Sequence, residues 1–449
     1  MRNLSLTITL LLALTTPGWS AWQLETVAAA GDVGGGCSLA VDRWGNPHIS
    51  YVDKTNNCVM YAHYAGTNWE FEAAASDVDV SRATAISLDA LDKPHVIFRD
   101  NNENELTYAY LSGNNWVKEV IATGSGYGDD LSISAWPTGS HVSYSRPSGT
   151  TVGLNYGYRE SGNWNTESVV SSGGGMFNTL FIDNDGNPNI VYWNVGSLSV
   201  RHAVRKSGQW TIDDIAEGID CDAVVGPDNK VHVSFPKVNN EGLNYAVSTS
   251  GGSWKIENIN AYVGAPSFTQ ICVNAAGHVF ISYFNFDKLD LRVVIKKGTT
   301  WTHEIVATGG YVGLPHSSAC TGNLPMIAYY DGDKHDLILA RYDPDSGIEP
   351  GVPADRSPGD AQPKTFALFQ NAPNPASGAT TFSFELPEGA DVTLAVYDAS
   401  GRKVATVAKG YFSAGVHDVP FANGLAPGIY VYRLEAGARS AARKLVVIK

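Results

Sequence analysis

The chain has 449 residues, a net charge of −14 and only 17% charged residues, with 46 glycines and 21 tyrosines. That acidity argues against a nonspecific surface for nucleic acid or anionic lipid. The length predicts two to three domains, and the Gly- and Tyr-rich composition suits a turn-rich all-β protein.

Residues 1–20 read as a signal peptide. Arg2 is the positive end, Leu4 to Leu14 is an apolar core too short to span a bilayer, and Gly18 and Ser20 put small residues before a cleavage point after Ser20. No later stretch could span a membrane as a helix, so no transmembrane anchor is expected.

Seven tryptophans then recur: Trp22, Trp69, Trp116, Trp164, Trp210, Trp254 and Trp301. Their spacings of 47, 47, 48, 46, 44 and 47 residues mark repeated supersecondary units. In the first unit, short alternating runs stand at Trp22 to Val27, Ser38 to Asp42, Pro47 to Tyr51 and Val59 to Ala62, with turn residues between them. Two positions repeat in all seven units. The aromatic at Tyr51 returns as Phe98, Tyr144, Tyr192, Phe235, Tyr283 and Tyr329; the aliphatic at Val59 returns as Leu106, Leu154, Val200, Leu243, Leu291 and Leu337. Side chains so placed fill the space between neighbouring sheets. Asp183-Asn184-Asp185-Gly186-Asn187 looks like a short calcium loop, but its equivalents from Asp42 and Asp89 lack the ligands, so it reads as a hairpin turn.

Four-stranded units stacked radially make a β-propeller. Seven sets of three strands end near Tyr342, but only six are followed by a Trp strand. The strand at Trp22 supplies the missing one. The expected fold is therefore all-β: a seven-bladed β-propeller over residues 21–343, its N-terminal strand closing the last blade, followed by an immunoglobulin-like β-sandwich. An open array of seven units is the rival, and it would leave two long sheet edges uncovered.

Residues 344–364 are rich in Pro, Gly and Asp and read as a linker. From 365 to 449 the pattern changes. Val392 to Tyr397 and Gly428 to Leu434 alternate as half-buried strands, with turns at Asp398 to Gly401 and Ala426 to Gly428. About seven short strands fit a small immunoglobulin-like sandwich. The segment carries Gln370-Asn371-Ala372-Pro373-Asn374-Pro375, Val396-Tyr397-Asp398 with Gly401-Arg402, Gly415-Val416-His417, Leu425 to Tyr430 and the terminal Arg443-Lys444-Leu445. On these residues it resembles the type A C-terminal sorting domain of the type IX secretion system of Bacteroidetes and related bacteria. The motif positions singled out are Gln370, Asn371, Pro373, Asn374, Pro375, Gly401, Gly428 and Tyr430. The resemblance implies passage through the periplasm, recognition of residues 365–449 by the outer-membrane machinery, and a passenger that is released or held at the cell surface, often with the tail removed.

A ligand is expected at the mouth of the propeller's channel. The innermost strands should line that channel with Ser38, Ala85, Ser132, Thr179, Asp222, Gln270 and Ser318, and one layer on with Ala40, Ser87, Ser134, Phe181, Val224, Cys272 and Cys320. Asp222, the one charge, reads as a solvated channel residue. Candidate ligand-binding residues at the mouth are Arg82, Arg99, Asp129, Asp130, Arg146, Asp220 and His316. The three arginines could converge on a carboxylate, because a guanidinium fork matches it. His48, His95, His141 and His232 share one position on four different units and read as structural. Of the five cysteines, Cys37, Cys58, Cys221, Cys272 and Cys320, one must stay unpaired; Cys272 with Cys320 and Cys37 with Cys58 are the pairs that alignment suggests.

No catalytic residue, metal site or cofactor is assigned. The expected passenger is a non-catalytic module that binds a glycan or another surface protein. Two alternatives stand beside it: a sialidase-like polysaccharide hydrolase or lyase using the mouth loops, and a structural surface protein. The sialidase Asp-box is missing, since Ser161-Gly162-Asn163-Trp164 is only a fragment of it.

Overall fold

A computed structural model describes residues 22–343 and 366–448, apart from 67, 81–82, 125–129, 149–150, 239–241, 250–251, 260–264, 323, 369–370, 372–373, 387–388, 413–414, 423 and 438. The proposed signal peptide and linker lie outside the described residues. Among the described residues every named element is a strand.

Residues 22–343 form seven four-stranded antiparallel sheets, and the arrangement is a β-propeller. Sheet 1 consists of Val33–Val41, Pro47–Asp53, Cys58–Tyr64 and Trp69–Ser76, paired in that order. Sheets 2 to 6 repeat the order, with innermost strands Thr84–Leu88, Leu131–Trp136, Met176–Ile182, Asp222–Val225 and Pro266–Val273. Sheet 7 takes Val312–Thr321, Leu324–Asp331 and Asp336–Tyr342 from the end of the region. Its outermost strand is Trp22–Ala28, with Trp22 opposite Tyr342.

The repeated hydrophobic positions explain this stacking. The aliphatic series from Val59 to Leu337 is fully buried in all seven sheets, and the aromatic series from Tyr51 to Tyr329 is nearly so. At Leu337 and Leu154 the chain of the neighbouring sheet passes close over the aliphatic. Gly34 and Gly175 sit there at φ of 98° and 107°, and a Cβ on either would come within about 3 Å of Leu337 or Leu154. Glycine supplies both the left-handed backbone and the space.

Polar side chains then stitch sheet to sheet. Near the axis, Ser38 accepts from the Ile86 amide (3.3 Å), Ser87 from Ala135 (3.0 Å), Ser132 from Leu180 (2.9 Å) and Ser317 from Leu39 (3.1 Å), each across to an adjoining sheet. At the rim, the tryptophan of one sheet donates its indole N–H to a glutamate on the preceding sheet. The pairs are Trp69 to Glu25 (2.7 Å), Trp116 to Glu72 (2.8 Å), Trp210 to Glu167 (2.7 Å), Trp301 to Glu257 (3.3 Å) and Trp22 to Glu304 (3.0 Å). Two of these pairs join sheet 7 to its neighbours on both sides.

The tail has two sheets: Ala367–Leu368, Thr380–Leu386 and Gly415–Phe421 in one, and Lys403–Phe412, Ala390–Tyr397, Gly428–Ala436 and Arg439–Val447 in the other. Phe382, Phe384, Leu394, Tyr430, Tyr432 and Leu434 belong to its core. The half-buried reading of the Gly428 strand needs correction. Residues 428–432 are all buried, because Ile429 and Val431 point away from the tail's core into a second cluster shared with the propeller.

Candidate functional site

The seven inner strands enclose an axial channel with two stacked cavities. The lower, of about 420 Å³, is lined by Ser38, Ala85, Ser132, Thr179, Asp222, Gln270 and Ser318, the layer the sequence pattern places there. Cys272 and Cys320 form a disulfide in its wall across sheets 6 and 7, with Cα atoms 5.6 Å apart. Cys37 and Cys58, the other suggested pair, are free thiols, as is Cys221.

Asp222 differs from the expected solvated residue. It is buried, accepts from the Thr179 hydroxyl (2.6 Å) and the Ile271 amide (2.8 Å), and so takes the stitching role that serines play elsewhere. Burial pushes its carboxyl up to about 6.

The upper cavity, of about 210 Å³, lies where the inner strands begin. Asp130, Asp220 and His316 all line it, so three candidate residues from sheets 3, 5 and 7 meet in one chamber. Each is held by the fold. Asp220 adopts a left-handed backbone (φ 59°), which turns its carboxylate toward sheet 6; there it accepts from the Phe268 and Thr269 amides. His316 donates from Nδ1 to the Gly313 carbonyl (2.8 Å), and burial lowers its pKa to about 4, so the ring is neutral at physiological pH.

The arginines do not gather in this chamber. Arg99 is half-buried on Pro94–Asp100 and Arg146 is exposed on Gly139–Ser148, and neither lines the cavity. Arg82 and Asp129 lie outside the described residues. The recurrent histidines pair with tyrosines of their own sheets: His48 with Tyr61 (2.5 Å), His141 with Tyr156 and His232 with Tyr245 (2.6 Å each). The Asp183 carboxylate accepts from the Asp185 and Asn187 amides of its own turn (3.0 and 2.8 Å), which is a hairpin use of that residue.

Sequence reasoning missed the roof of the upper cavity. It is formed by Ala399, Gly428 and Ile429 of the tail. Lys444 is buried on the same face and is electrostatically linked to Asp220. Burial pushes the Asp220 carboxyl up and the Lys444 ammonium down, while each charge favours ionisation of the other. The unbroken apolar run Ile429-Tyr430-Val431-Tyr432 was the available signal, since such a run marks a strand covered on both faces.

The described motif residues of the tail make contacts within its own fold. Asn371 donates through its backbone to the Tyr432 hydroxyl (2.8 Å) and through its side chain to Thr380 (2.8 Å). Asn374 bonds the Lys444 carbonyl (3.1 Å) and the Val446 amide (2.8 Å), just before a cis Pro375. Gly401, at φ 78°, closes the turn that Asp398 holds. Gly428 opens its strand, and the Tyr430 hydroxyl donates to the Ala426 carbonyl (2.9 Å). Gln370 and Pro373 lie outside the described residues.

Residues 372–449 match the model of the secretion system C-terminal sorting domain, the tail of type IX export. The match points to interaction with that machinery and to an extracellular or cell-surface destination. No curated protein matches the chain. Similar solved structures include a protein of unknown function from Dyadobacter fermentans (10% identity, 72% of this chain and 98% of that one, TM-score 0.45). A six-bladed fucose-recognising lectin from Aleuria aurantia gives 17%, 64%, 98% and 0.45, and YCF48 from Cyanidioschyzon merolae gives 12%, 73%, 100% and 0.46. No helix among the described residues is long and apolar enough to cross a membrane.

Proposed function

We propose that this is a secreted or surface-attached binding protein: a seven-bladed propeller over residues 21–343, closed by the Trp22 strand, a linker at 344–364, and an immunoglobulin-like tail at 365–449 that the type IX machinery recognises. The signal peptide at residues 1–20 takes the chain into the periplasm first. The propeller binds a glycan or a surface protein through its channel mouth, where Asp130, Asp220 and His316 meet, and does not turn it over. Arg82, Arg99, Asp129 and Arg146 help to select the ligand.

One observation carries the preference for binding over catalysis. The buried acids of the channel already serve as acceptors for main-chain amides of the next sheet, Asp220 for Phe268 and Thr269 and Asp222 for Ile271. Carboxyls anchored in the wall in this way have a structural duty first, and that duty is what supports binding over proton transfer.

The test is a glycan array, a surface-protein pull-down and a glycosidase and lyase panel on the exported protein, before and after a cut within 344–364. Binding with no turnover is expected. Product formation would replace this reading with the hydrolase or lyase, and silence in every assay would leave the structural role.

A further inference from the structure

The tail sheet that contains Gly428–Ala436 and Arg439–Val447 has two apolar faces. Tyr430, Tyr432, Leu434 and Leu445 enter the tail's own core. Ile429, Val431, Ala442 and Val446 enter a different cluster, together with Met176, Trp193, Phe268 and Leu314 of the propeller. This second face is centred on the axis, because Ile429 and its neighbours roof a cavity to which all seven sheets contribute, sheet 5 through Asp220 and Cys221 just before its inner strand. Lys444 lies on that face between Ala442 and Val446 and is 1% exposed; Asp220, also 1% exposed, belongs to the mouth below. Arg443 to Asp287 (2.6 Å) and Arg433 to Asp333 (3.7 Å) add ion pairs at the edge of the contact.

We propose that the tail is a detachable cap on the propeller's channel, keyed by the Lys444 ammonium buried in the face that covers the acidic mouth of Asp130 and Asp220. While the cap is seated, Asp130, Asp220 and His316 are covered on the mouth side. When it lifts, the mouth opens. The three features have separate jobs. The apolar face supplies the area that holds the two parts together. Lys444 fixes the register, since an ammonium buried in that face is costly unless acidic groups lie across from it. The exposed edge pairs contribute little to the affinity. The inference holds whatever the propeller binds.

To test it, a protease site is placed within 344–364 of the full chain, the chain is cut, and the pieces are run on size exclusion. Co-elution is expected; separate elution of the wild-type pieces overturns the cap. In the cut chain, Lys444→Met should weaken the association by at least about tenfold, because it removes the positive charge that this face presents to the acidic mouth. Association as tight as wild type would overturn the keying. Ile429→Asp, whose side chain faces away from the tail's core, should separate the pieces while Ala390–Tyr397 keeps its hydrogen-exchange protection. Should that variant unfold the tail, the cut wild-type chain decides alone. In the uncut chain, Cys37 and Cys221 line the closed chamber and Cys58 does not. Maleimide should reach Cys37 and Cys221 at least about tenfold faster in Lys444→Met, with Cys58 unchanged. Unchanged rates at both chamber thiols would show that the tail is not what closes it.

Discussion

In the propeller each small cluster lies between neighbouring sheets, as where Leu154 and Tyr156 of sheet 3 meet Leu180, Ile190, Tyr192 and Ala203 of sheet 4. The tail instead gathers Phe382, Phe384, Leu394, Tyr430, Tyr432 and Leu434 from several strands into one core. The contrast shows two ways for an all-β chain to bury itself. Stacked repeats distribute their stability over nearest-neighbour contacts, so a local defect stays local. A single core shares every contact, so a defect is felt throughout. The two regions then meet on a third cluster to which both contribute.

The largest effect should come from the single core. Tyr432 is fully buried, packs edge-on against Phe382 at 4.5 Å and accepts from the Asn371 amide. Tyr432→Ala should cost about 3–5 kcal/mol. Hydrogen exchange should show Thr380–Leu386 and Gly428–Ala436 losing protection together while Pro47–Asp53 and Cys58–Tyr64 keep theirs. Loss of protection spread evenly over the whole chain would erase the distinction between the regions.

Acid should separate them in the opposite sense. Burial holds His141, His202 and His316 of the propeller at about 4, well below the unfolded value. The folded state keeps these rings neutral while the unfolded chain takes up protons. Their contribution is therefore complete above the unfolded pKa and is lost as pH falls toward 4. Between pH 7 and pH 5, His316 alone accounts for about 2 kcal/mol, and the half-buried His141 and His202 for less. Melting followed at pH 7, 6 and 5 should show this loss as a downward contribution to the propeller's slope, set against the opposite contribution of buried Asp222, whose carboxyl is pushed up to about 6. Replacing His316 by Gln should flatten part of that slope; an unaltered slope would mean that this ring is not the group responsible.

The propeller was legible in the sequence because its information repeats. One tryptophan per unit, with an aromatic and an aliphatic at fixed offsets, makes each unit a check on the others, and all seven aliphatic positions are indeed buried. The channel lining was legible for the same reason. The role of that lining was not. Ser38 and Asp222 read as water-facing residues, and only the lateral stagger of neighbouring sheets shows that they accept from the next strand's amides. The roof was harder still, because it depends on a contact between distant segments such as Asp220 and Lys444, and no local period encodes that. Its trace was compositional: Gly428 to Tyr432 is apolar on both faces where an alternating strand would have one polar face.

The smallest effect probes the repeats where they fail. The glutamate that receives the neighbouring indole stands three residues after each tryptophan, as Glu72 after Trp69 and Glu257 after Trp254. In sheet 4 that place after Trp210 holds Asp213, one methylene shorter. Trp254 of sheet 5, which would be its partner, instead meets His202 edge-on at 5.6 Å. At Asp213→Glu the longer side chain should reach the Trp254 indole and complete the link between sheets 4 and 5. The expected gain is about 0.5–1 kcal/mol, the usual net value of one such hydrogen bond. A double-mutant cycle of Asp213→Glu with Trp254→Phe isolates it, since the gain must vanish when the indole N–H is gone. A gain that survives in the Trp254→Phe background would belong to the longer side chain's packing or strand propensity and not to a clasp between sheets 4 and 5.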